Sequence, residues 1–269
     1  MIMKLLHNKK GIIFGALNED SIAWKVAERA YEEGAYIVLS NTPIALKIGN
    51  IYKLSKKTNS IIIPADATSL KDIKNLFNKT MEHFNGKIDF ILHSIGMSIN
   101  IRKKREYTNI DYNWLQKSWD ISAVSFHKIM KIAWDKDAIN EWGSIIALTF
   151  IGSKRIFNGY NDMADHKAYI ESIARNFGYY WGKKCNVRVN TVSQSPTKTT
   201  AGIGIKNFDI FLHYANELSP LGNASADDCS NYIITLFSDL TKKVTMQNLY
   251  HDGGFSKTGI NESIINRFF

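Results

Sequence analysis

The chain has 269 residues, 45% hydrophobic and 22% charged, which are the proportions of a folded globular protein and exclude a disordered or fibrous one. Two cysteines, Cys185 and Cys229, cannot build a disulfide framework, and neither has a near Cys or His partner for a zinc site, so no metal is expected. The formal net charge is +9, yet the basic residues are scattered apart from the block Arg102-Lys103-Lys104-Arg105; this favours a solvated lysine-rich surface over nucleic-acid binding and leaves attraction of an acidic carrier protein open.

In chain order, Gly11 to Gly15 reads as a buried strand ending in glycine, and Ser21 to Glu33 as the helix after it. Ala35 to Leu39 is the next strand; a helical segment then leads to a strand at Ile61 to Pro64. Leu70 to Phe84 is helical, Ile88 to His93 a strand, and Trp114 to Ile139 one long helix. Strand Ser144 to Phe150, helix Ala164 to Trp181, strand Val187 to Val192, helix Ala226 to Ser238 and a strand near Gln247 to Tyr250 complete the alternation. Near-continuous apolar strands require a parallel sheet buried on both faces, so the predicted fold is α/β, a doubly wound parallel sheet of Rossmann type. No repeat or linker divides the chain, and a single domain over 1–269 is expected. No apolar run is long enough to span a bilayer, and Met1 to Lys10 lacks the core of a secretory signal; the expectation is a cytoplasmic protein with no membrane contact.

Four places carry chemistry. The turn from Gly15 to Ala23 opens toward a helix N-terminus, where amides and the helix dipole favour a pyrophosphate; an ordinary turn fits it equally. Asp66 follows the third strand, where it can accept from an adenine amino group or cap the next helix. His93-Ser94-Ile95-Gly96 ends the fourth strand, with Gly96 permitting close approach of a ribose. His93 and Ser94 point to opposite faces of a strand, which argues against a hydrolase pair. Tyr160 and Lys167 are seven residues apart, close to two helical turns, which would place both on one helix face. A neighbouring ammonium would lower the tyrosine pKa and let the hydroxyl donate to a developing oxyanion. The pairs Tyr179/Lys183 and Tyr180/Lys184 mimic a Tyr-x-x-x-Lys signature but fall at the far end of that helix.

These residues resemble the NAD(P)H-dependent enoyl-[acyl-carrier-protein] reductases of bacterial fatty-acid synthesis, a branch of the short-chain dehydrogenases. The resemblance runs from Gly11 to about Ser256 and is carried by Gly15-Ala16, Ser21-Ile22-Ala23, Asp66, His93 to Gly96, Asp120-Ile121-Ser122, Gly159-Tyr160-Asn161, Lys167, Val187 to Asn190, Ser195-Pro196, Thr199 and His251 to Ser256. It implies that Gly15, Ser21 and Ile22 hold pyrophosphate and that Thr42 lies near the adenosine ribose. By the same likeness Asp66 and Ala67 meet the adenine, and Ser94, Ile95, Gly96 and Lys167 the nicotinamide ribose. Thr197, Thr199 and Ala201 would line the nicotinamide side, within a substrate-covering loop at about 197–210. Met97, Ser98, Tyr160 and Ile203 would meet the substrate. The implied reaction is hydride transfer from NADH to the β-carbon of a trans-2-enoyl thioester on a carrier protein, with Tyr160 and Lys167 catalytic, in a homotetramer.

Two positions depart from the family pattern. Phe150 stands where a second active-site tyrosine is usual, and Ser195 stands where glycine is common. The absence of arginine in Ser40-Asn41-Thr42-Pro43 favours NADH, while Lys47 leaves NADPH open. A carbonyl reductase of the same fold and a non-catalytic Rossmann protein that binds cofactor or nucleic acid are the alternatives.

Overall fold

The computed structural model describes residues 4–266 except 201, 203, 204 and 206. Its elements are β1 (Lys10–Phe14), α1 (Ile22–Glu32), β2 (Tyr36–Ser40), α2 (Pro43–Ile48), α3 (Ile51–Lys57), β3 (Ile61–Ile62) and α4 (Leu70–His83). There follow β4 (Ile88–His93), α5 (Ile99–Arg102), α6 (Tyr112–Trp119), a π-helical turn (Asp120–Val124), α7 (Ser125–Asp135) and β5 (Ile139–Thr149). The chain continues through α8 (Met163–Cys185), β6 (Arg188–Gln194), α9 (Phe208–Leu218), α10 (Ala226–Phe237), β7 (Asn248–His251) and α11 (Glu262–Ile265). All seven strands pair in parallel in the order β3-β2-β1-β4-β5-β6-β7, the doubly wound arrangement expected from the sequence.

Alternate residues of each strand feed two separate cores. Ile12, Phe14, Ile91, Ile145 and Val189 pack with Leu76 and Phe77 of α4, Phe126 and Ile129 of α7, and Ile170 and Ile173 of α8. Ile13, Leu39, Phe90, Leu92, Ile146 and Val192 pack on the other face with Trp24 and Ala27 of α1 and Ile233 and Ile234 of α10. Burial on both faces explains why the strands read as unbroken apolar runs rather than alternating ones. A third, smaller cluster of Ile151, Ala215, Leu218 and Phe255, with Phe150, Phe157 and Phe211 against it, lies beyond the strand ends.

The expected elements shift in four places. The long helix ends at Asp135, because Ile139 already pairs with Ile88 as the start of β5. The π turn interrupts it at Asp120–Val124, and Ser122 there holds the backbone of Met97 through its hydroxyl. The third strand shortens to Ile61–Ile62 at the sheet edge, where only β2 supports it. Residues 208–210, expected within the covering loop, form the first turn of α9.

Candidate active site

The loops at the C-terminal ends of β1, β4, β5 and β6 converge at one edge of the sheet, the position where open α/β sheets bind ligands. Gly15 adopts φ +93°, and a Cβ on it would lie 2.1 Å from the carbonyl oxygen of Ser94. The β1 turn is therefore closed against the β4 loop through backbone alone, a fit only glycine permits. Ser21 organises that turn: its Oγ accepts from the amides of Leu17 (3.2 Å) and Asn18 (3.1 Å) and donates to Asn18 Oδ1 (3.1 Å). Helix α1 begins at Ile22, so its first amides point outward with no intrahelical acceptor, a ready anion site. Thr42 caps α2 by accepting from the Ala45 amide, and Asn41 ties the β2 end back to Ala16.

Asp66 does not cap α4; that role falls to Ser69, whose hydroxyl accepts from the Asp72 amide. Asp66 Oδ1 instead accepts from both the amide and the hydroxyl of Thr68, fixing the loop beyond β3, with Ala67 buried behind it. Ser94, Ile95 and Gly96 are half-buried at the end of β4. A Cβ on Gly96 would sit 3.6 Å from Lys167 Nζ and 3.4 Å from Met163 Cε, which places the β4 loop directly against α8. His93 is wholly buried with its Nε2 3.0 Å from Ser125 Oγ, and burial drops its pKa to about 3; it is a neutral core residue.

Tyr160 is not on the helix. Helix α8 starts at Met163, and Tyr160 sits in the preceding turn between Gly159 (φ 89°) and Asn161 (φ 43°), both left-handed. The two-turn spacing argument therefore fails, and Tyr160 is held by its surroundings instead. Its ring packs edge-on to Phe150 with centroids 5.0 Å apart, and a Cβ on Gly152 would lie 2.7 Å from Tyr160 Cδ1. Burial raises the phenol pKa, contrary to the expected lowering by Lys167, so the hydroxyl stays protonated across the physiological range. Lys167 is 8% exposed, donates to the Leu148 carbonyl at 2.8 Å, and is pushed down to about 8 by burial, opposed by Glu171. The Tyr-x-x-x-Lys mimics are elsewhere: Tyr179 and Tyr180 are exposed, and Lys184 pairs with Asp137 at 2.9 Å.

Phe150 joins Phe157 and Phe211 in an aromatic wall beside Tyr160, with ring centroids 5.1 and 6.0 Å from its own. Ser195 has no left-handed φ, so the departure from glycine distorts nothing; its hydroxyl accepts from the Ala224 amide. Thr197 bonds its own turn at Ser195 O, and Thr199 Oγ1 accepts from Gly202 N. Asn18 Nδ2 donates to Thr200 Oγ1 at 2.9 Å, joining the β1 turn to the loop after β6. Ala201 and Ile203 lie outside the described residues.

Ser98 is used differently from the expectation. It is 5% exposed, caps α5 by accepting from the Ile101 amide, and donates to Asp162 Oδ1 at 2.6 Å, which leaves its hydroxyl committed to the fold. Asp162 is the residue sequence reasoning missed. Completely buried two positions after Tyr160, it also accepts from Asn100 Nδ2 at 3.0 Å and thus clamps the β4 loop to the Tyr160 turn. Glu171 was missed as well: its carboxylate takes hydrogen bonds from Thr149 (2.9 Å) and Ser153 (2.5 Å) at the end of β5. Both are acidic residues among helical neighbours, and only the fold reveals that they are buried.

The chain matches the model of the enoyl-(acyl carrier protein) reductase family over residues 15–256. The chain belongs to the enoyl-[acyl-carrier-protein] reductase family. It is 31% identical to the NADH-type enoyl-[acyl-carrier-protein] reductase FabI of Rickettsia typhi, over 96% of this chain and 98% of that one. It is 32% identical to the NADH-type reductase 1 of Rhizobium meliloti, over 95% and 93% of the two chains. Among solved structures, the FabI–NADH complex of Alistipes finegoldii is 62% identical with a TM-score of 0.95, covering 96% of this chain and 91% of that one. The doubly wound architecture, read first from strand patterning, is shared with that structure over almost the full length of this chain.

Proposed function

We propose that this chain is an NADH-dependent enoyl-[acyl-carrier-protein] reductase in which Tyr160 and Lys167 form the catalytic pair. The observation that carries the assignment of roles is the meeting of Tyr160, Phe150 and Gly152 in one packed wall, with Lys167 Nζ against the β4 loop at Gly96. The residues fit a dinucleotide: the Gly15 turn admits no Cβ, α1 presents free amides at Ile22, and Gly96 leaves space beside the ammonium. Gly15, Ser21 and Ile22 would hold the pyrophosphate, Thr42, Asp66 and Ala67 the adenosine, and Ser94, Ile95, Gly96 and Lys167 the nicotinamide ribose. Thr197 and Thr199 lie on the loop that would border the nicotinamide, and Met97 on the substrate side. A bound dihydronicotinamide supplies the hydride for the β-carbon of a trans-2-enoyl thioester.

The chain's own part is to stabilise what that transfer creates. Negative charge accumulates on the thioester oxygen as an enolate, and a neutral Tyr160 hydroxyl donates a hydrogen bond to it. Burial suits this role, since a phenol held above its ordinary pKa donates without itself ionising. Lys167, fixed by Leu148 O, keeps an ammonium against the β4 loop where the ribose would lie. The Phe150–Phe157–Phe211 wall lends the same side an apolar border.

The rings of Trp119, at the end of α6, and Tyr169 of α8 meet at a tilt with centroids 5.2 Å apart, both partly exposed, and Tyr112 at the start of α6 is largely exposed. Such an aromatic surface supports a homotetramer, measurable by light scattering. Among the described residues no helix is long and apolar enough to cross a membrane, and a cytoplasmic location accords with that. The deciding assay follows loss of nicotinamide absorbance with a crotonyl thioester, NADH and NADPH in parallel, for wild type and Tyr160→Phe. The expected outcome is NADH-linked turnover that collapses in the variant. Turnover of ketones instead of enoyl thioesters would assign the chain to the carbonyl reductases.

A further inference from the structure

Glu171 is a buried carboxylate that the reaction outlined above does not use. It is 4% exposed on α8, one helical turn beyond Lys167, and both belong to the buried face of that helix. Its Oε1 accepts from Thr149 Oγ1 at 2.9 Å and from Ser153 Oγ at 2.5 Å, and the exposed Lys154 approaches Oε2 at 3.8 Å. The two hydroxyls bracket residues 150–152, the segment that packs on Tyr160. The Phe150 ring lies 5.0 Å from the tyrosine ring, and a Cβ on Gly152 would lie 2.7 Å from Tyr160 Cδ1. One carboxylate thus ties the turn Ile151–Ser153 to α8 and stands one turn from Lys167.

Desolvation disfavours so buried a carboxylate, and an apolar side chain of similar volume would pack α8 on β5 at least as well. The charge has its counterpart in the neighbouring ammonium. Lys167 Nζ donates to the Leu148 carbonyl of β5. His93 of β4 and His166 of α8 also lie near it, and burial drops their pKa to about 3 and about 4, so both are neutral. Asp120 of the π turn is paired with Lys128, and Asp162 accepts from Ser98 and Asn100. Among the described residues, Glu171 is the carboxylate that opposes the desolvation of Lys167, whose pKa burial lowers to about 8.

We propose that Glu171 is a positioning residue for both members of the pair: its charge keeps Lys167 an ammonium where the ribose binds, and its hydrogen bonds hold residues 150–152 against Tyr160. This rests on the enoyl-reductase reading above.

The test follows NADH affinity by fluorescence titration between about pH 6 and 10, and kcat with a crotonyl thioester at saturating NADH. In wild type, NADH binding should weaken as pH rises through the Lys167 titration, because the ammonium is present below it and lost above it. Glu171→Gln keeps an acceptor for both hydroxyls and removes the charge; the midpoint should fall by about 1 pH unit. Glu171→Asp keeps the charge, so the midpoint returns toward wild type, while the shorter side chain loses the hydroxyls and kcat falls about tenfold. Thr149→Val/Ser153→Ala removes the donors alone and should show the same fall in kcat with the wild-type midpoint. A purely structural role would weaken binding equally at every pH and move no midpoint. A Gln-variant midpoint within about 0.3 unit of wild type, or an unchanged kcat in the Thr149/Ser153 variant, would overturn the proposal. A wild type that neither binds NADH nor reduces the thioester would instead defeat the enoyl-reductase reading itself.

Discussion

Lys167→Met tests whether a buried ammonium is maintained at the site against its own desolvation. Burial lowers its pKa from 10.5 to about 8, so the charged form is disfavoured in the folded state by about 3 kcal/mol. The unfolded chain holds this proton up to its own, higher pKa, so between the two values it binds more protons than the native state. Stability contributed by the group therefore rises with pH: it is absent below about 8, grows through the window and is complete above 10.5. Between neutrality and about pH 9.5 the gain is about 2 kcal/mol in wild type and zero in the methionine variant. At neutral pH the variant escapes the desolvation cost but leaves the Leu148 carbonyl without its donor, a loss of about 1–3 kcal/mol. Net stability at neutral pH should thus stay within about 2 kcal/mol of wild type, while NADH affinity falls. Urea denaturation of both proteins without cofactor at neutral pH and at about pH 9.5 measures the difference directly. If the stability gap between them does not move by more than about 0.5 kcal/mol across that interval, the ammonium is not titrating in a desolvated site and the assignment of its environment is wrong.

Gly15→Ala places a Cβ 2.1 Å from Ser94 O at a φ of +93°, so both the backbone preference and the β1–β4 closure resist it. A loss of about 2–4 kcal/mol in stability and at least about tenfold in NADH affinity should appear in thermal melts and fluorescence titration. Gly152→Ala would drive a methyl to 2.7 Å from Tyr160 Cδ1 and 2.9 Å from Phe150 Cδ1; displacement of the tyrosine should lower kcat about 10–100-fold while NADH binding is unchanged. Phe150→Tyr inserts a hydroxyl into the wall formed with Phe157 and Phe211 and should change kcat by less than about tenfold, because Tyr160 already supplies the donor. A gain of several orders of magnitude would show that Tyr160 alone is an inadequate donor.

The sequence alone determined the sheet. Apolar runs such as Ile88 to His93 and amphipathic stretches such as Leu70 to His83 have only one economical arrangement, strands buried on both faces with helices alternating above and below. Gly15 was legible as a close approach because its role is local, set by backbone and a missing Cβ. Tyr160 and Lys167 drew attention through a helical spacing that the fold does not use, since Tyr160 precedes α8. Gly159 and Asn161 flank the tyrosine as turn formers, a local signal that the helical spacing obscured.

What only tertiary structure decided is how polar groups are spent. Asp162 is a buried clamp, Ser98 is drawn into it rather than toward substrate, and Ser69 rather than Asp66 caps α4. The Tyr160 phenol rises in pKa where a nearby lysine had suggested a fall, because Lys167 is turned onto the Leu148 carbonyl and burial dominates. Secondary structure follows from patterns repeated along a few neighbouring residues. Burial, hydrogen-bond partnership and pKa depend on segments far apart in sequence meeting at one sheet edge, as Lys167 meets Leu148 at a separation of 19 and Ser98 meets Asp162 at 64. No local pattern encodes that meeting; the order in which the strands assemble does.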